Sequence, residues 1–140
     1  MKQELIEKLV SDNHSLLIEQ EHTIKVYDTH GIATLLQIVE HDPEVLRDAT
    51  MVDKVVGKAA AALMILGGIK ELHALLISKA ALNLLNTTDI KVSYDEQVPF
   101  IENRNRNGWC PMEEACRNCQ TAEECLHEIK NKLSEMRQKQ

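Results

Sequence analysis

Two stretches of the sequence carry residue types that do chemistry at helix ends. The first is Asp53-Lys54-Val55-Val56-Gly57-Lys58, followed by Ala59-Ala60-Ala61. It reads as a helix that opens at an Asp53 N-cap, runs to Leu66 and stops at Gly67-Gly68. The unpaired N–H groups and the dipole at such an end attract anions. Lys54 and Lys58 would stand one turn apart on one face. Lysine in a first turn opposes the dipole, which points to an anion for the pair to bind. Gly57 costs roughly 1 kcal/mol relative to alanine inside a helix, so a close contact would account for it. The same residues equally fit a capping aspartate beside two solvated lysines. They do not make a nucleotide-hydrolase phosphate loop, because the upstream glycine is missing and Ala59 stands where Ser or Thr belongs.

The second stretch is Cys110-Pro111-Met112-Glu113, with Pro111 in the first turn of a short helix to about Arg117. A thiol at a helix N-terminus can serve as a nucleophile or redox group. Arg104 and Arg106 would favour its thiolate, and Glu113 and Glu114 would oppose it. A lone cysteine is also commonly a small packed hydrophobe. The full cysteine spacing is Cys110-x5-Cys116-x2-Cys119-x5-Cys125. The two-residue gap between Cys116 and Cys119 occurs in zinc knuckles and redox motifs, but the outer spacings fit no standard ligand set. No metal is expected. His14, His22, His30, His41, His73 and His127 are scattered and form no paired metal motif. His73 lies in an interior strand and reads as a hydrogen-bonded core residue. The spacing supports no Ser-His-Asp arrangement.

The elements that must position these groups follow from hydrophobic periodicity. Residues 2–12 form an amphipathic helix on Leu5, Leu9 and Val10. Leu16 and Ile18, then Ile24 and Val26, flank Gln20-Glu21-His22 as a hairpin that lacks the favoured Asn-Gly turn. Gly31 opens a helix to about His41. Asp42-Pro43 interrupts it before a possible short helix, and Ala49–Val52 reads as a strand. Leu72–Ile77 is apolar on both faces and therefore an interior strand. Ser78 caps a helix over Lys79–Asn86, and Ile90–Tyr94 is the next strand. Strand-helix-strand-helix-strand implies parallel pairing in a three-layer α/β/α sandwich, made a mixed sheet by the hairpin. Residues 103–108 form a polar loop, and Thr121-Ala122-Glu123-Glu124 is a capping box for a last helix carrying Leu126, Ile129, Leu133 and Met136.

Composition narrows the function classes. The chain has 140 residues, enough for one domain with its own core. A net charge of −6 and an aromatic content of 3% argue against a nucleic acid polymer as partner. The charged N-terminus has no signal-peptide core, and the longest apolar run, Ala59 to Leu66, is too short for a bilayer. A cytoplasmic protein with reduced thiols and no membrane partner is expected.

Asp53 through Ala61, Lys91-Val92-Ser93-Tyr94, Val98-Pro99 and Cys110-Pro111-Met112-Glu113 together resemble an uncharacterised prokaryotic family with a cytidine deaminase-like fold. The resemblance runs from about Ser15 to Ile129 and implies a single domain over 1–140. Its deaminase-like core spans about 15–101, and a C-terminal helical extension spans about 110–137. Deaminase activity does not carry over. Zinc deaminases open one helix with His (or Cys) and Glu and the next with Pro-Cys-x-x-Cys. Here those helices begin Asp53-Lys54-Val55 and Ser78-Lys79-Ala80-Ala81. The fold would bring both openings to the carboxyl edge of the parallel strands, where such sheets bind ligands. The expected site is a pocket between the Asp53 helix and the Cys110 segment. Lys54, Lys58, Ser78, Lys79, Asn103, Arg104 and Glu113 are its candidate ligand-binding residues, and Asp53, Lys54 and Cys110 its candidate catalytic groups. The expected ligand is a small anion such as a nucleotide or phosphorylated metabolite, handled with no cofactor. Two alternatives remain. One is a non-catalytic interaction module, possibly a homo-oligomer, using the last helix or a sheet edge. The other is a thiol-redox or metal protein using the C-terminal cysteines.

Overall fold

In the computed structural model, residues 2–28 and 32–138 are described. Helix α1 (Lys2–Ser11) is followed by the hairpin β1 (Leu16–Gln20) and β2 (Thr23–Tyr27). Helix α2 (Ala33–His41) and a 3-10 turn at Pro43–Val45 lead to β3 (Thr50–Val56) and α3 (Lys58–Gly67). Then come β4 (Glu71–Ser78), α4 (Lys79–Leu85), β5 (Lys91–Val98), α5 (Pro111–Ala115) and α6 (Ala122–Gln138). The expected helix start at Gly31 lies outside the described residues, as does His30.

The five strands form one mixed sheet in the order β2-β1-β3-β4-β5. β1 runs antiparallel to both β2 and β3, whereas β3, β4 and β5 are parallel. The apolar interior β4 takes the inside position its sequence implied, and the crossovers through α3 and α4 link the parallel strands. Two apolar clusters result. The smaller gathers Leu5 and Leu9 of α1 with Leu17 and Val52 of the sheet. The larger holds α2, α3, α4 and α6 against the sheet and includes Cys125 and Ile129 of the last helix.

Strand β3 continues four residues past the boundary that the sequence implied. Val55 and Val56 pair with Leu76 and Ile77 of β4 rather than opening a helix. Their β-branched side chains suit a strand, and the parallel ladder satisfies their main chain. Asp53 is therefore a strand residue and not a helix cap. The cap position is Gly57, in extended conformation and with no side-chain capping bond of its own. β5 is likewise longer than expected, because residues up to Val98 pair with Ser78 and its neighbours.

Helix α3 is buried almost all round, and its Ala59-Ala60-Ala61-Ala62 run lets α4 and α6 pack close to its axis. Its end is fixed by two glycines. A Cβ on Gly67 would lie 2.4 Å from Leu46 Cδ1 and 2.9 Å from Leu46 Cβ, so only glycine fits. Gly68 is left-handed, with φ 78°, and closes the helix. The local caps read from sequence form as expected. Ser78 Oγ accepts from Ala81 N at 3.2 Å, and Thr121 Oγ1 accepts from Glu124 N at 3.1 Å.

The β1–β2 turn holds two non-glycine residues in left-handed conformation, Glu21 (φ 48°) and His22 (φ 70°). Each such residue costs roughly 1 kcal/mol or more. A two-residue hairpin turn of this hand favours Asn-Gly. The double substitution Glu21→Asn with His22→Gly is expected to stabilise the protein by about 1 kcal/mol. Urea unfolding with an unchanged m-value would show this as a higher midpoint, and a lower midpoint would refute it.

Candidate functional site

A cavity of about 360 Å³ opens at the carboxyl end of β3. Its walls are mainly apolar, and its chemistry-bearing residues are Asp53, Cys110 and Glu113, beside Gly57 and Tyr27. The Asp53 strand and the Cys110 segment therefore do face each other. Such a volume suits a small ligand.

The helix opening that the sequence offered to an external anion is occupied by the chain's own carboxylate. Glu113 is 2% exposed. Its Oε1 accepts from Lys58 N at 2.8 Å, and its Oε2 accepts from Ile101 N at 2.8 Å. A negative group at a helix N-terminus satisfies an orphan donor and complements the dipole. Gly57 is explained by the same contact. A Cβ there would lie 3.3 Å from Glu113 Oε1 and 3.2 Å from Ile101 Cγ1.

Aromatic packing holds the segment that delivers Glu113. Phe100 and Trp109 stack with centroids 4.7 Å apart, and the Arg117 guanidinium lies 4.6 Å from the Trp109 ring centroid. A bridge between Glu102 and Trp109 closes the polar loop. Cys110 N then donates to Ile101 O at 2.8 Å, and Cys110 O accepts from Glu114 N at 3.0 Å, which starts α5. Cys110 thus sits half-buried on the cavity wall with its main chain fixed.

Asp53 is half-buried on the facing wall. Loss of solvation pushes its carboxyl up from the ordinary 3.8 to about 7, against weak opposition from the N–H groups of Val55 and Lys54. The Val55 N contact is long, at 3.4 Å. Burial, with a smaller contribution from Asp42, also raises the Tyr27 phenol.

Several candidate residues stand elsewhere. Lys54 and Lys58 are not one turn apart on a helix, because Lys54 belongs to β3. Lys54 contributes to the cavity lining, but its Nζ donates to Asn13 Oδ1 at 2.6 Å. Lys58 is buried, and its Nζ is directed away from the cavity to the carbonyls of Cys119 and of Arg117, the latter at 3.4 Å. Ser78 is fully buried as the α4 cap, and Lys79 is exposed; neither lines the cavity. Asn103 and Arg104 also lie outside its lining, with the Asn103 amide bound to Asn107 at 2.8 Å. The physical reason is common to these corrections. The helix begins at Lys58, so its first-turn donors meet Glu113 and its first side chain turns toward α6.

The family model for Domain of unknown function (DUF1893), TM1506, matches residues 4–133. The chain belongs to this family. A solved DUF1893 family protein, TM1506 from Thermotoga maritima, is similar with a TM-score of 0.85 and 27% identity. The match covers 94% of this chain and 88% of that one. No curated protein matches.

This DUF1893 chain also contains an arrangement that spacing did not reveal. His73 Nδ1 lies 2.7 Å from Ser93 Oγ, and His73 Nε2 lies 3.0 Å from Asp95 Oδ1. Ser93 and Asp95 share one face of β5, and the β4–β5 register sets His73 opposite Ser93. The trio lies outside the cavity, on the sheet, where its geometry accounts for a buried histidine with both ring nitrogens partnered. Among the described residues, no helix is long and apolar enough to cross a membrane.

Two outcomes are expected of the cavity carboxylates. Glu113→Ala removes the acceptor of two main-chain donors and is expected to cost about 3 kcal/mol, with Glu113→Gln costing about half as much. Chemical unfolding checks the order, and an equal stability of Glu113→Ala and wild type would refute the bridging role. Asp53 holds its proton more tightly when folded, so its contribution to stability is fully present below pH 3.8 and is lost as the pH rises through about 7. Asp53→Asn should remove that part of the pH dependence and be more stable than wild type at pH 8. A stability difference between the two that stays constant from pH 4 to pH 8 would contradict the raised carboxyl.

Proposed function

We propose that this DUF1893 protein binds a small, largely apolar molecule in the Asp53–Cys110 cavity and reads a neutral or cationic polar group of it through Asp53. The observation that carries this reading is the pairing of Glu113 with the α3 terminus. A phosphate would have to displace a buried carboxylate or settle beside it, and like charge opposes both. Lys58, the strongest candidate for holding a nucleotide or phosphorylated metabolite, is directed elsewhere. Asp53 keeps its proton until about pH 7, so it can donate or accept a hydrogen bond near neutrality.

The same groups suit zinc-independent proton transfer. A carboxyl with a proton affinity near ambient pH is an efficient acid or base. Cys110 stands on the opposite wall as a candidate nucleophile. The architecture is read as a three-layer α/β/α sandwich of the cytidine deaminase-like kind, in one domain. The mixed strand order and the apolar clusters on both sheet faces support that reading. The positions of the deaminase metal ligands hold Asp53-Lys54-Val55 and Ser78-Lys79, which are not a zinc set.

A thermal-shift screen of small amines, amides and nucleobases against their phosphorylated counterparts tests the reading, with calorimetry on the hits. Uncharged or cationic compounds are expected to bind, and Asp53→Asn should weaken them about tenfold, the equivalent of one polar contact near 1.4 kcal/mol. Binding that favours phosphorylated compounds, or that is unchanged by both Asp53→Asn and the cavity-filling Ala60→Leu, would overturn it.

A further inference from the structure

A second reactive cluster uses none of the groups assigned to the ligand cavity. It consists of Cys116, Cys119 and Cys125 with the side chain of Lys58, and none of the four lines the cavity. Cys125 sits between the other two thiols and is hydrogen-bonded to both. The Cys116 thiol also approaches the Cys125 carbonyl, at 3.8 Å. Cys116 and Cys125 are completely buried, whereas Cys119 is partly open to solvent.

Lys58 gives the cluster its charge. It is only 8% exposed, and among the described residues its ammonium forms no ion pair with a carboxylate. It is held in place by the carbonyls of Arg117 and Cys119. A buried cation needs a compensating anion. The groups within its electrostatic reach are the three thiols. Hydrogen bonds from its neighbours, together with Lys58, draw the Cys125 thiol down to about 7 against desolvation and Glu124. Burial and the neighbouring thiols push Cys119 up to about 11 and raise Cys116 further. One proton therefore leaves the trio near neutral pH, and the charge is shared through the thiol contacts.

We propose that Cys119 and Cys125 form an oxidation site, which a hydroperoxide converts to an intramolecular disulfide. Cys119 passes its proton to the Cys125 thiolate, and its own sulfur, the one open to solvent, attacks the distal peroxide oxygen. An S–O bond forms, the O–O bond breaks, and the departing alkoxide takes a proton from water. Cys125 then releases its proton to solvent and attacks the Cys119 sulfur. The S–S bond forms, the S–O bond breaks, and hydroxide leaves as water. Two thiols lose two electrons in all, and one hydroperoxide becomes one alcohol and one water. The bond would tie the start of α6 to the α5–α6 connection and would remove the anion that faces Lys58.

The sequence makes the test direct. Trypsin cleaves after Arg117 and Lys130, so residues 118–130 carry both Cys119 and Cys125, and residues 107–117 carry Cys110 and Cys116. The full chain is treated with equimolar hydrogen peroxide, alkylated under denaturing conditions and mapped without reduction. The expected product is peptide 118–130 lighter by about 2 mass units and unalkylated, at a rate that Lys58→Met lowers about tenfold. Cys119→Ser, at a partly exposed site, should abolish the product while the protein keeps its circular dichroism spectrum. The proposal is overturned if peptide 118–130 remains fully alkylated. It is equally overturned if oxidation settles in peptide 107–117, or if Cys119 proceeds to sulfinic or sulfonic acid with no link.

Discussion

The buried Glu113 carboxylate, shared between Lys58 N and Ile101 N, is the contact on which the functional end of this protein depends. Helix α3 is enclosed by α4, α6 and the sheet, so water cannot serve its first-turn donors as it would on an open surface. A carboxylate must come from the chain itself, and it comes from 55 residues away. That requirement fixes α5, which carries Glu113. It also fixes the bend after β5, because Ile101 supplies the second donor. The Phe100–Trp109–Arg117 stack then has a clear purpose: it clamps the loop whose two ends converge on Glu113.

One residue separates the two reactive regions. The main-chain N–H of Lys58 faces Glu113 and the cavity, whereas its ammonium faces the carbonyls of Arg117 and Cys119 and the thiol trio. The alanine run behind Lys58 makes this possible. Larger side chains at 59–62 would hold α6 away from the helix axis, and Cys125 would no longer reach the level of Lys58. The absence of bulky groups in α3 is thus a positional requirement as well as a packing one.

How much of this was legible in the sequence depended on the range of the interaction. The Ser78 and Thr121 caps bond within three residues, and both were readable. The hairpin, the interior β4 and the polar loop were readable from period and turn chemistry. The start of α3 was not, because Asp53 followed by lysines resembles a cap until Val55 and Val56 are paired with β4, a fact of register. Glu113 gave a local sign only as an acidic first-turn residue of α5, and nothing nearby shows that it serves a different helix. Ser93 and Asp95, two apart in a strand, did signal a shared face, but His73 joins them only through the β4–β5 register. The cavity was legible as a meeting of two segments. Its charge was not, since that required knowing which lysine turns away.

The charge of the cavity follows from an asymmetry between its two acids. Glu113 has two short main-chain donors, which stabilise a carboxylate without solvent. Asp53 has a long contact to Val55 N and faces the same desolvated space, so neutralisation is its cheaper state up to about pH 7. Had Glu113 been absent, the α3 terminus would have remained an anion receptor, and a phosphate would have been the natural occupant. With Glu113 in place the receptor is filled and the field of the cavity is reversed. The remaining adjustable group is a protonated aspartate opposite a thiol. A ligand that brings a basic nitrogen or an amide can exchange a hydrogen bond with it, whereas a second anion would have to overcome Glu113 first. The same internal carboxylate that completes the fold therefore selects the charge of what the cavity can accept.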